Sequence, residues 1–303
     1  MGTRMNLVLA SLVALSLSAV SADRGHFVVS SVRPNVSVFG EGQKAIIGWN
    51  GTEEVLILST DMSASAEATV LEFLPLPSKP AAVEKADFTP FLKIQKLIRS
   101  HAEKQRAPLT RAEKPVPPTV EIVFHEKIGA HDIAIARTSS DEDFVNWMIS
   151  YVENRGIKLE AEQAAGLRPL VAAYIEDGYS YFVCDVIELG RASKTVEPLM
   201  YRFKSDKLYF PLRVSSLDAG RGAIDLFLLT SRRVDVWGTN TGFVSGFYRV
   251  GTTLGRPIKF TIPRKAIADV HPALGRLFKD DAWLGVAKYR GMLSTLTRDF
   301  IVK

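Results

Sequence analysis

The chain has 303 residues, of which 47% are hydrophobic and 23% charged, so it is long enough to bury a large core. Its single cysteine, Cys184, excludes an internal disulfide and is expected to be a buried apolar strand residue. Residues 23–189 carry 17 basic and 24 acidic side chains, whereas residues 190–303 carry 20 and 9. The basic residues are scattered, which argues against a nucleic-acid-binding protein. They indicate a solvated surface, with attraction to an anionic surface or envelope polymer as the alternative.

Residues 1–22 have the layout of a secretory signal peptide. Arg4 provides a basic start, an apolar run follows, and small residues precede the expected cleavage between Ala22 and Asp23. The apolar run is shorter than the roughly 20 residues that cross a bilayer, and serines interrupt it. We therefore expect a secreted or extracytoplasmic protein of the cell envelope, without a membrane span in the mature chain; an uncleaved anchor is the alternative.

Residues 23–106 are predicted to form a smaller sheet-plus-helix unit. Two β-rich runs, KAIIGW and EVLILS, flank Asn50-Gly51, a pair that is typical of a type I′ hairpin turn because both residues tolerate positive φ. Another strand, ATVLEFLPLP, ends in a proline cluster. Thr89 then predicts the N-cap of an amphipathic helix that has Pro90 in its first turn.

Residues 107–118 are rich in proline and are predicted to be a linker. The larger unit, residues 119–303, then follows, although the prolines could instead join two halves of one sheet. The phrase VEIVFHEKIGAHDIAIA predicts two strands that meet near Gly129.

Two helical regions come next. Ser140 is the expected N-cap of a helix that has three acidic residues in its first turn and ends at Gly156. The second region, LEAEQAAGLRPLVAAYIEDG, is expected to break at Gly166 and to restart at Pro169.

From Tyr179 onward the pattern changes to strands. Five runs of strand length follow: YSYFVCDVIEL, EPLMYRF, KLYFPLRVSS, AIDLFLLTS and RVDVW. One more strand, one or two short helices and a closing strand in LTRDFIVK complete the chain. No long helices separate these strands, which argues against a doubly wound parallel sheet. The predicted fold class is α+β, with mainly antiparallel or mixed sheets, helices packed on one face and a two-part architecture.

Several phrases in order resemble the domain of unknown function 2330 family. They include QKAIIGWNGTEEVLILSTD, VLEFLPLPSKPAAV, GYSYFVCDVIEL and YRGMLSTLTRDFIV, and together they extend from about Gln43 to Val302. The resemblance implies an exported prokaryotic protein. It implies no agreed activity, and it transfers no catalytic residues to this chain.

The most suggestive side chains for chemistry lie in FHEKIGAHD. If a hairpin turns there, His125 and His131 could face each other and bind a divalent metal, with Glu126 or Asp132 as a base. The spacing matches no established zinc signature, and each acid is expected on the opposite sheet face from its histidine. The favoured interpretation is therefore surface or cross-strand histidines.

No catalytic, cofactor-binding or metal-binding set is predicted beyond that candidate, because the chain has no GxSxG elbow and no glycine-rich phosphate loop. Asn35 and Asn50 lie in glycosylation sequons. The function favoured by the sequence is a non-catalytic envelope or surface protein that binds another protein or a polymer. The alternative is an extracytoplasmic hydrolase, either metal-dependent and using His125 and His131 with Glu126 or Asp132, or with its catalytic groups drawn from distant segments of the chain.

Overall fold

The computed structural model describes residues 25–31, 38–64, 67–105, 131–159, 161–189, 196–217, 220–250 and 253–303. Several predicted features lie outside these ranges and stay predictions: the signal peptide with its Ala22/Asp23 cleavage point, Asn35, the linker 107–118, His125 and Glu126. Among the helices within the ranges, none has the length and apolar character needed to cross a membrane.

The described residues form two main sheets, of which the larger has eight strands and is built around a long hairpin, β2 (Val38–Trp49) and β3 (Glu53–Ala64). Its other strands are β5 (Ala82–Lys85), β8 (Leu199–Lys204), β10 (Arg221–Thr230), β11 (Val244–Ser245), β14 (Lys259–Ile262) and β15 (Ala282–Met292). The strand order is β11-β15-β10-β2-β3-β8-β5, and β14 also pairs with β15. Every pair is antiparallel except β2 with β10, which is parallel.

The smaller sheet has four antiparallel strands in the order β1-β4-β7-β6. They are β1 (Gly25–Ser31), β4 (Ala68–Leu76), β6 (His131–Arg137) and β7 (Tyr181–Leu189). Two short ribbons pair β9 (Leu208–Phe210) with β16 (Phe300–Val302), and β12 (Phe247–Val250) with β13 (Thr253–Pro257). The predicted α+β class with mainly antiparallel or mixed sheets is confirmed.

Among the described residues, five helices pack against these sheets: α1 (Thr89–Gln105), α2 (Asp141–Glu153), α3 (Ala161–Glu176), α4 (Arg264–Val270) and α5 (Pro272–Leu277). One face of the large sheet, with Ile46 and Ile57, shares a buried apolar cluster with α1, α4 and α5. The opposite face, with Ile47 and Leu58, belongs to a second cluster that includes the small sheet, α2 and α3. The burial of both sheet faces explains why the strands are almost continuously apolar.

The ends of α2 follow the sequence closely. The Ser140 hydroxyl accepts a hydrogen bond from the Asp143 backbone N–H at 3.1 Å, as an N-cap does. Gly156 has φ +72°, and the N–H of Ile157 returns to the carbonyl of Val152 at 3.0 Å. A glycine after the helix end is required here because the left-handed backbone strains other residues.

The turn between β2 and β3 forms the predicted hairpin, but its type differs from the prediction. Gly51 has φ +102°, whereas Asn50 does not have a positive φ, so the turn has the pattern of type II′ instead of type I′. Asn50 lies one position earlier than expected, and its Oδ1 accepts from the N–H groups of Thr52 and Glu53 at 3.0 and 2.9 Å. Its Nδ2 donates to the carbonyl of Leu277 at 3.0 Å and so fixes the turn to α5.

Helix α3 is continuous, so the predicted break at Gly166 and Pro169 is wrong. Pro169 removes one backbone hydrogen bond from the helix interior. Leu167, Val171 and Tyr174 are fully buried, and their packing outweighs that loss.

Three further local predictions also change. Thr89 is the first residue of α1 instead of its N-cap, and the Asp87 Oδ1 accepts from the Thr89 N–H at 2.8 Å. RVDVW is not a strand; it leads into a short 3-10 turn that begins at Trp237. The eleven-residue β15 was missing from the sequence prediction, since its glycines have a low strand propensity.

The two sequence parts share both main sheets. Strands of residues 23–106 pair with strands of residues 119–303 in the β2–β10, β3–β8 and β4–β7 pairs. Strand pairs that cross between the two parts are expected if the proline-rich segment joins two halves of one sheet, which was the alternative to two separate units. The position of the linker itself stays a prediction.

Candidate functional site

His131, the described histidine of the sequence-predicted pair, is enclosed in the fold. Its side chain is 2% exposed, and its Nδ1 lies 2.6 Å from Asp185 Oδ2 on the neighbouring strand β7. Its Nε2 lies 3.1 Å from the backbone carbonyl of Glu197, just before β8. Both ring nitrogens therefore face oxygen acceptors, and the ring connects the small sheet to the segment that enters the large sheet. This arrangement positions strands and leaves no ring nitrogen directed to solvent.

Asp132, its neighbour on β6, lies on the other face, as the alternation of a strand predicts. Asp132 Oδ2 accepts from Arg155 Nε at 2.6 Å, and the Tyr151 hydroxyl donates to the Asp132 carbonyl at 3.0 Å. The hydrogen bond from Arg155 lowers the pKa of Asp132. The structure does not bring Asp132 to His131.

Sequence reasoning missed Asp185 as the partner of His131. The sequence feature that indicated a buried pair was the acid inside the apolar run YSYFVCDVIEL, because an ionisable side chain in such a run needs a partner. Glu72 lies directly opposite Asp185 on β4 and is also buried. Within the described ranges, no three histidine, cysteine or acidic side chains are grouped to hold a metal ion.

Cys184, next to Asp185, is fully buried, and burial raises the pKa of its thiol. A thiol with a raised pKa carries little thiolate and is a poor nucleophile. The prediction of a buried apolar strand residue is confirmed.

A second buried polar group surrounds Asp299 near the end of the chain. Asp299 Oδ1 accepts from the Tyr174 hydroxyl at 2.8 Å, and Oδ2 accepts from Arg213 Nε at 3.1 Å. The Arg213 guanidinium lies 4.0 Å from the centre of the Tyr174 ring. These three side chains bind one another inside the fold, so we assign them a structural role.

The most accessible aromatic side chain among the described residues is Trp237, which is 64% exposed. It begins a short 3-10 turn, and its backbone N–H donates to Asp235 Oδ1 at 3.1 Å. Asn240 ends the turn with φ +51° and donates its N–H to the Trp237 carbonyl. Buried Val234 and Val236 anchor the segment in the core beneath it.

Two clefts lie beside this turn. The larger has a volume of about 280 Å³ and is lined by Arg232, Arg233, Asp235, Gly238, Thr239, Ile301, Val302 and Lys303. The smaller, of about 170 Å³, is lined by Asn240, Thr241, Gly242, Tyr289, Thr295, Leu296, Thr297 and Arg298. We call Trp237 and these two clefts together the Trp237 surface. Four basic side chains and one acidic side chain line it.

The topology explains why these residues meet. The parallel strands β2 and β10 end side by side, with Thr230 in register with Trp49. Trp49 Nε1 donates to the Ser205 carbonyl at 3.0 Å, and the Arg232 guanidinium lies 5.7 Å from the Trp49 ring. Burial, and then the charge of Arg233, lower the pKa of nearby Lys259. Arg233 and Lys259 therefore lie close together at this end of the sheet, where the charge of Asp235 opposes the lowering of the pKa of Lys259.

The sequence analysis missed the Trp237 surface because RVDVW alternates like a half-buried strand. The alternation is real, since Val234 and Val236 are buried, but it belongs to an irregular segment. The available signal was the adjacent pair Arg232-Arg233 close to a tryptophan.

These sheets and clefts define an α+β protein that has a polar, basic surface beside an exposed indole. The chain belongs to the family described as an uncharacterized protein conserved in bacteria, DUF2330, whose profile matches residues 18–247. The family resemblance seen in the sequence is thereby confirmed. No curated protein matches the chain.

The fold is similar to that of solved viral proteins. A crystal structure of baculovirus P35 is 7% identical in sequence, with a TM-score of 0.51, and the match covers 88% of this chain and 96% of P35. A mutated P35 after caspase cleavage is 9% identical, with a TM-score of 0.46, over 86% of this chain and 99% of that one. At such identities the likeness concerns the fold alone.

Proposed function

We propose that this bacterial protein is exported and acts as a non-catalytic binding protein of the cell envelope or surface. The observation that carries the proposal is the Trp237 surface. An indole that is 64% exposed contributes little to the fold, whereas tryptophan and arginine are the side chains that most often dominate binding interfaces. The signal-like residues 1–22 support the location.

The metal-dependent hydrolase remains the alternative, and it depends on His125 and Glu126 outside the described ranges. The geometry of His131 favours the binding role, since both of its ring nitrogens are engaged by Asp185 and Glu197. Elemental analysis of protein purified without added metal separates the two functions. A stoichiometric divalent metal would support the hydrolase.

The binding role is tested by sedimentation with envelope material from the bacterium that encodes the protein. Wild type is expected to co-sediment, and Trp237→Ala is expected to bind about tenfold more weakly. Leu92→Ala is the matched control, because Leu92 is an apolar side chain with 41% exposure on α1, which packs in the other core. Absence of wild-type binding, or equal binding by Trp237→Ala, would contradict the proposal.

A further inference from the structure

The arginines of the chain differ in whether a carboxylate binds them. Arg155, Arg202 and Arg290 each bind a carboxylate, at 2.6, 2.8 and 2.7 Å. In contrast, Arg233 and Arg298 form no ion pair with any side chain that the structure describes.

Arg232 and Lys303 share this property, so the four basic side chains of the two clefts have no carboxylate bound to them among the described residues. Asp235 is the one acid among the lining residues, and its Oδ1 already accepts from the Trp237 backbone. The excess of positive charge agrees with the basic balance of residues 190–303. A complementary partner therefore carries negative charge.

The uncharged lining points to a sugar partner. The exposed face of the Trp237 indole is an apolar plane on which the C–H face of a sugar ring can lie. Hydroxyl and amide side chains, which can exchange hydrogen bonds with sugar hydroxyls, border the smaller cleft: Asn240, Thr241, Thr295 and Thr297.

The arrangement favours a polymer with a repeated anionic group. Residues 238 and 239 line the larger cleft, residues 240 and 241 line the smaller one, and each cleft contains an arginine. Guanidinium groups bind carboxylates and phosphates in the same bidentate manner. An acidic polypeptide would present the same carboxylates to the arginines, but it has no sugar ring to lie on the indole.

We propose that the Trp237 surface binds an acidic polysaccharide, that is, a sugar polymer that carries carboxylate or phosphate groups. This inference rests on the binding role proposed above and names the chemistry of its partner. The arginines bind the acidic groups, the indole packs on a sugar ring, and the threonine hydroxyls bind the sugar hydroxyls.

The test is calorimetric titration of the full mature chain with four probes of similar length. Polygalacturonate carries carboxylates, phosphomannan carries phosphates, dextran is a neutral sugar polymer, and poly-L-glutamate has the charge without the sugar. Binding of at least one acidic polysaccharide is expected, about tenfold or more tighter than that of dextran or poly-L-glutamate. It should weaken as salt rises, because salt screens exposed charges. The two acidic arms distinguish carboxylate from phosphate as the recognised group.

Variants locate the binding. Trp237→Ala and the double variant Arg232→Gln/Arg233→Gln are each expected to weaken binding about tenfold. Arg99→Gln is the control, because it removes an exposed arginine from α1. Circular dichroism and thermal unfolding show whether each variant retains the fold.

The outcomes separate this inference from the proposed function. If envelope material binds but neither acidic polysaccharide does, or if poly-L-glutamate binds equally well, the inference is wrong and the binding role stands. Equal affinity for dextran also overturns the inference, since charge would then have no part. If neither envelope material nor any probe binds, both proposals fail.

Discussion

Glu54 is a fully buried carboxylic acid beside the main hydrophobic core. Its Oε2 accepts from the Tyr209 backbone N–H at 2.8 Å, and its Oε1 has no hydrogen-bond partner among the described residues. Burial raises the pKa of Glu54 well above its ordinary value of 4.5, and the bond from Tyr209 only partly opposes this. The folded protein therefore holds this proton more tightly than the unfolded chain does.

Glu54→Gln should remove a pH dependence of stability. The contribution of Glu54 is fully present below its ordinary pKa of 4.5 and is lost as pH rises towards the raised folded-state pKa. In that window the free energy of unfolding of wild type should fall relative to the variant, by at most about 1.4 kcal/mol per pH unit. Urea unfolding between pH 4.5 and 8 measures the difference. Glu84→Gln, at an exposed position on β5, is the control, and parallel curves for wild type and Glu54→Gln would contradict the prediction.

For individual residues, the sequence shows which side chains can ionise but does not predict which residues they hydrogen-bond to in the fold. The alternation along β6 correctly separated Asp132 from His131, because that depends only on neighbouring positions. The contact of His131 with Asp185 depends on the pairing of β6 with β7 across 54 residues, which local patterns do not encode. The Trp237 surface likewise depends on the parallel pairing of β2 with β10.

Among the elements, the β2–β3 turn depends on one backbone conformation. Gly51 has φ +102°, and nothing lies within 4 Å of the position where a Cβ would be. A side chain at Gly51 would therefore fit in space but would strain the backbone. Gly51→Val is expected to lower the free energy of unfolding by about 1 kcal/mol or more.

Gly285→Val is the matched control for that variant. Gly285 lies in β15, where the space around the position that a Cβ would take is also open, but its φ is not positive. A β-branched residue suits a strand, so we expect little loss of stability at Gly285. Chemical denaturation of both variants gives the comparison. Equal stability of Gly51→Val and wild type would show that the turn does not need a glycine.

Elements with strong local signals could be predicted, and those decided by packing could not. Helix α2 has an N-cap at Ser140, an acidic first turn and Gly156 after its end, so its bounds follow from the sequence. Helix α3 passes through Pro169 because buried Leu167 and Tyr174 hold both sides of it in the core. A rule based on neighbouring residues predicts a break at Pro169, because it does not include the tertiary packing that stabilises α3.

For the whole molecule, the first prediction concerns export. Cleavage after Ala22 should leave Asp23 as the N-terminus, which N-terminal sequencing of the protein from an envelope or culture fraction would show. Ala22→Phe places a bulky side chain where signal cleavage needs a small one, so the variant should keep residues 1–22 and sediment with membranes. A wild-type protein that retains residues 1–22 would support the anchor instead.

The second prediction for the whole molecule concerns the proline-rich segment and the two sheets to which residues on both sides of it contribute strands. Limited proteolysis is expected to cut first between Pro108 and Thr119, because the segment is rich in proline and poor in apolar residues. The two fragments should nevertheless remain together, since β2–β10, β3–β8 and β4–β7 each join a strand from one side of the cut to a strand from the other. Separation would expose unpaired strand edges and the apolar faces of both sheets. The nicked protein should therefore elute as one species in native size-exclusion chromatography and divide only in denaturant. Earlier cuts elsewhere, or fragments that separate without denaturant, would contradict this prediction.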